Sequence, residues 1–155
     1  MLTNDQLHAA TITLLAPITR DHYTYAGDTA THVDRVHPTG LDLHDGHVGP
    51  VAKAPDGTAA PYIALATHPR GDRHTRLTGG TSMGTYTVSL TVAAGTPRGL
   101  RGALDRVMPL LARAYLIPGR TGLLRPYFDT VDVIEDEDVT PTRWYAPLRY
   151  RTTVH

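Results

Sequence analysis

Hydrophobic and polar positions alternate most cleanly between residues 85 and 94, where Tyr86, Val88, Leu90, Val92 and Ala94 interleave with Thr85, Thr87, Ser89, Thr91 and Ala93. A period of two sends the two sets to opposite faces and predicts a strand buried on one side. The period then changes. Leu100, Leu104, Val107, Met108, Leu111, Tyr115 and Leu116 recur at helical spacing, with Thr96 placed to cap the first turn, Pro97 at the first helical position, and Pro118 and Gly119 as a stop. Pro109 falls inside this pattern and predicts a kink near Asp105, at a cost of about 3 kcal/mol. Burial of the large apolar side chains, at roughly 1.5–3 kcal/mol each, outweighs it.

Around this central pair the signals are shorter. Residues 3–16 carry Leu7, Ala10, Ile12, Leu14 and Leu15 behind a capping Thr3 or Asn4, and predict a first helix ended by Pro17. PYIALA, residues 61–66, is apolar on both faces and predicts a strand buried on both sides. Towards the end, Phe128–Val133 and then Trp144, Ala146, Leu148, Tyr150, Thr152 and Val154 alternate, which predicts two strands joined by an acidic turn. Residues 20–60 are rich in Gly, Pro, Asp, Thr and His and read as a long, mostly irregular excursion, in which HYTYA and HVGPV could each form a short strand. Residues 68–84 read as a long hairpin loop. The sum is one α+β domain over residues 1–155, a mixed and mainly antiparallel β-sheet with an N-terminal helix and one long central helix packed on it.

Composition narrows the chemistry. Fifteen basic residues balance fifteen acidic ones, so no global positive field favours nucleic acid. Cysteine is absent, which removes disulfides, thiolate nucleophiles and cysteine-bound zinc. No apolar run is long enough to span a bilayer, and the first residues lack the pattern of a signal peptide, so a soluble product without a membrane partner is expected.

Nine histidines invite a metal reading. His32, His37, His44 and His47, with Asp34 and with Asp45 inside an HDGH tetrapeptide, are the candidate ligands, although their spacing matches no HExxH or other zinc motif. The alternative is a polar loop in which the histidines are incidental. Ser82 and Ser89 are not in a nucleophile elbow, and GGTSMG lacks the lysine and spacing of a phosphate cradle, so a hairpin tip is its expected role. Local charge is segregated instead: Arg70, Arg73 and Arg76 make one positive patch, and Glu135, Asp136, Glu137 and Asp138 one negative patch. They are either solvated turns or the two halves of a head-to-tail contact between subunits.

The helix at the N-terminus, PYIALA, the strand TYTVSLTVAA running into TPRGLRGALDRVMPLLARAYL, and the closing VDVIEDEDVTPTRWYAPLRYRTTV together resemble the tail terminator, or tail completion, proteins of long-tailed bacteriophages, mainly over residues 58–155. The resemblance implies a structural virion protein, not an enzyme, with no cofactor. It would be assembled in the bacterial cytoplasm as a ring homo-oligomer, typically a hexamer, on the tail tube protein. Such a ring stops tail polymerisation, presents a docking surface to the head–tail connector or stopper protein, and lets genomic DNA pass through its lumen without specific binding. Three alternatives remain at this point: a head–tail connector or stopper ring; a small His/Asp metal-dependent enzyme; and a small-ligand or peptide-binding module that uses the exposed edge of the strand at 85–94 as its platform.

Overall fold

A computed structural model of the protein describes residues 2–26, 29–33, 40–46, 51–65, 84–139 and 142–155. The first helix, α1 (Asn4–Leu15), opens on a capping box: Thr3 Oγ1 accepts from the Gln6 N–H, and the Gln6 side chain accepts from the Thr3 N–H. Its buried stripe is Leu7, Thr11 and Leu15. Thr11 can be buried because its hydroxyl donates to the Leu7 carbonyl at 2.9 Å. A short 3₁₀ turn (Ala16–Ile18) around Pro17 then delivers the chain to the sheet.

Eight strands follow: β1 (Thr19–Ala26), β2 (Thr29–Val33), β3 (Leu41–Asp45), β4 (Tyr62–Leu65), β5 (Gly84–Ala94), β6 (Arg125–Pro126), β7 (Ile134–Asp136) and β8 (Arg143–Val154). They form one mixed sheet in the order β2-β1-β3-β4-β5-β8-β6, with β7 also paired to β8. β1, β3 and β4 run parallel to one another, and every other pairing is antiparallel. The fold class expected from the periodicity is thus the one observed. The reading of residues 20–60 as mostly irregular is corrected, because β1, β2 and β3 lie within it. HYTYA is indeed strand, while most of HVGPV, and nearly all of the segment expected as the 68–84 loop, lie outside the described residues.

The longest helix, α2 (Pro97–Leu111), begins where the sequence predicts, with Thr96 Oγ1 accepting from the Gly99 N–H at 3.0 Å and Pro97 at its first turn. A Thr96→Ala change removes that acceptor and is expected to cost about 1 kcal/mol in a urea melt. The expected run of this helix to Pro118 is corrected. The Ala112 N–H closes the last turn on the Met108 carbonyl, Ala112 itself is extended, and Arg113 turns to φ 56°. From there Arg113, Ala114 and Tyr115 pair with Leu123 and Leu124. Pro109 lies inside the helix near its end and has no N–H to donate to the turn before it. The final third is also corrected: Phe128–Val133, expected as the first of two strands, form no strand, and the short β7 overlaps the acidic stretch expected as the turn.

Both helices cover one face of the sheet, with α2 against β5 and β8 and α1 beside α2. The core between them contains Leu43, Ile63, Val88, Val92, Leu100, Val107, Leu111, Ala146, Leu148 and Tyr150. The opposite face of the sheet mixes polar, aromatic and small side chains.

Candidate functional site

The outer face carries alternate residues of each strand, and cross-strand register aligns them into rows. One row runs Asp42, Tyr62, Ala93, Tyr145 and Ile134; the next runs Tyr23, His44, Ala64, Thr91 and Pro147. Asp42 is almost fully buried, and Arg20 grips it with a two-pronged contact: Nε to Oδ1 at 2.9 Å and a terminal nitrogen to Oδ2 at 2.8 Å. His44 is equally buried, stacked on Tyr23 at a centroid distance of 5.1 Å and edge-on to Tyr62 at 5.4 Å. Arg143 donates to the Tyr62 hydroxyl at 2.9 Å.

These contacts bear on the histidine candidates. His44 is packed between aromatic rings, and the backbone of His32 pairs with Tyr23 in the β1–β2 ladder. His37, His47 and Asp34 lie outside the described residues. Among the described residues no group of three or more histidines and carboxylates is arranged to hold a metal ion.

Asp45, the acid of the HDGH tetrapeptide, has partners the sequence reading did not anticipate. The β3–β4–β5–β8 register turns it to the helix side of the sheet. There His8 of α1 places Nε2 at 2.9 and 3.0 Å from its two oxygens, and His22 Nε2 stands 3.5 Å from Oδ2. Burial alone would push the Asp45 carboxyl up, but the imidazoles of His22 and His8 outweigh it and hold it well below the usual carboxylate range. The hydrogen bond to Asp45 raises the His8 imidazole above its ordinary value, against the opposing effect of burial.

The linkage has a definite sign. The depressed Asp45 contributes stability that is present above the ordinary value of 3.8 and is lost as pH falls towards its folded pKa. The raised His8 contributes stability that is present below 6.5 and is lost as pH rises through its folded pKa. The gap in stability between wild type and Asp45→Asn is therefore expected to peak between about pH 4 and 6.5, at about 1 kcal/mol for a partly solvated pair. Thermal melts across that range measure it, and a gap that keeps widening above neutrality would contradict the pairing.

The ends of β8 differ in chemistry. At its start, β7 pairs with it so that Glu135 faces Trp144 and Asp136 faces Arg143. Glu135, Glu137 and Asp138 are exposed, and the Asp138 N–H closes on Asp136 Oδ1 at 3.2 Å. The acidic patch read from the sequence is thus half strand and half turn. At the far end β6 pairs with β8 and sets Arg125 directly opposite Arg151. The Arg151 guanidinium lies over the Tyr127 ring at 3.6 Å, close enough for a cation–π contact. Both arginines line an open groove of about 560 Å³ together with Thr85, Tyr115, Gly122 and Thr153. Gly122 lets the chain pass close to Thr153, since a Cβ there would stand 2.5 Å from Thr153 Oγ1 and force that hydroxyl to shift.

Arg70, Arg73 and Arg76, the expected positive patch, lie outside the described residues, as does Ser82. Ser89 sits in the middle of β5 opposite Arg149. Arg125 and Arg151 are far apart in the chain, and no cluster of like charges in sequence joins them. Their one local signal is the alternation of β8, which puts Arg149, Arg151 and Thr153 on the face opposite Leu148, Tyr150 and Thr152. No protein-family model and no curated protein matches the sequence.

Proposed function

We propose that this chain is a structural virion protein of the tail-terminator type. In this reading it assembles into a ring, typically of six copies, on the last ring of the tail tube. The ring stops polymerisation of the tube and offers its free face to the head–tail connector. The carrying observation is the unit β4–β5–α2–β8. A strand buried against both neighbours leads to a long strand that the sequence predicts as buried on one side but that is buried at positions of both faces, a capped helix returns across it, and a long closing strand completes it. That is the element order on which the resemblance rests.

Electron microscopy of a lysate from the parent phage with this gene deleted tests the reading. Overlong, headless tails are the expected result. Tails of normal length beside filled, unattached heads would transfer the protein to the connector side of the joint, and normal virions would overturn both assignments.

A further inference from the structure

The two ends of β8 are chemically complementary. Register places Arg125 directly opposite Arg151, an arrangement of like charges that destabilises a sheet unless an anion lies between them. Among the described residues neither arginine has a carboxylate partner, and the buried Arg151 Nε–H has no hydrogen-bond acceptor. The groove they line is open, with the hydroxyls of Thr85 and Thr153 as further polar groups. At the other end of the strand, Glu135, Glu137 and Asp138 are exposed.

The apolar surface divides in the same way. Four large hydrophobic side chains are exposed among the described residues: Tyr115 and Tyr127 at the arginine end, Val133 and Ile134 at the acidic end. Each end thus offers apolar surface beside charge, and the charges are of opposite sign, which is the composition of a specific protein contact. The ends cannot satisfy each other within one chain. Arg143, opposite Asp136, and Arg151, opposite Arg125, are eight residues apart along β8, about 26 Å at 3.3 Å per residue.

We propose that the Arg125–Arg151 groove receives the acidic segment 134–138 of a second copy of this chain. The contact joins two different patches of the same molecule, so it is head-to-tail and propagates around a ring. Carboxylates of Glu135, Glu137 or Asp138 accept from the two guanidinium groups, and Val133 and Ile134 pack beside Tyr115 and Tyr127. This assignment rests on the ring reading above and names the surfaces that would close the ring.

A fluorescently labelled peptide of residues 131–139, titrated into the full-length protein and followed by anisotropy, tests it directly. Binding is expected, weakened about tenfold or more in an Arg125→Ala/Arg151→Ala variant and lost when Glu135, Asp136, Glu137 and Asp138 of the peptide become Gln and Asn. An Arg125→Lys/Arg151→Lys variant, which keeps the charge, is expected to retain part of the affinity and guards against misreading a folding defect. Undiminished binding to the alanine variant would overturn the proposal. So would an oligonucleotide of equal charge that displaces the peptide, since it would mark the groove as a phosphate site.

Because the chain has no cysteine, mixing an Arg125→Cys protein with an Asp136→Cys protein provides an independent check. Oxidation is expected to yield the mixed disulfide dimer in excess over either symmetric one, and a preference for a symmetric dimer would overturn head-to-tail docking. Rings on tails without either signal would overturn this pairing and leave the ring standing. Peptide capture without overlong tails in the deletion phage would do the reverse.

Discussion

Replacing Arg20 with methionine is expected to destabilise the protein by about 3–5 kcal/mol, more than the 1–2 kcal/mol or so expected for Asp42→Asn. The asymmetry follows from where the two partners lie. The Asp42 side chain is 3% exposed and the Arg20 side chain 24% exposed. Removing the arginine leaves a desolvated carboxylate with no other ion pair among the described residues. Shortening the charge difference from the acid side leaves a guanidinium that can still turn outward. The fork also ties β1 to β3 through side chains, where the register between the two strands slips between Thr19 and His22. Equilibrium denaturation of the two variants measures the difference. Equal losses would mean that solvent reaches Asp42 in a way its burial does not indicate.

Leu148→Ala is the second large effect, expected at about 3 kcal/mol and a fall in Tm of roughly 10 °C. Leu148 is 1% exposed and sits on the helix face of β8, in a row with Leu65 and Leu90. Its neighbours are strands fixed by long ladders, so the sheet cannot collapse into the space, and most of the cavity remains. A control at Pro147, exposed on the opposite face, is expected to change stability little when replaced by valine. Calorimetry of the two variants tests whether the core lies under the helices, as the alternation along β8 requires.

What could be read from the sequence follows the range of the interactions involved. β5 and the start of α2 are dictated by local signals: ten alternating positions, then a capping threonine and a proline. β3 is hard to see in the sequence because its second face is also covered. LDLHD buries Asp42 and His44 as well as its leucines, and polar residues whose partners lie on other strands look in sequence like solvated loop. The helix end was misread for a related reason. Tyr115 and Leu116 fit the helical spacing, but pairing of residues 113–115 with Leu123 and Leu124 wins over two more turns.

The site divides in the same manner. The acids at 135–138 are contiguous and visible at once. Arg125 meets Arg151, and His8 meets Asp45, only because the sheet and α1 bring distant segments together. A reading confined to clusters of like residues selects the histidines of 32–47, of which His44 proves to be a packing group.

The long ladder between β5 and β8 also has a cost during synthesis. β5 is complete at Ala94, yet its partner begins at Arg143 and pairs along its whole length only when Val154 has been added. At roughly 5–20 residues per second, one edge of the longest buried strand waits several seconds for its neighbour on the ribosome. An unpaired apolar edge of that length is a template for another nascent chain. Thr85, Thr87, Ser89 and Thr91 along the outer face lower its stickiness without closing the edge. Substitutions that weaken β8 will therefore show first as insoluble product during expression in cells, before any loss is measurable in the purified protein.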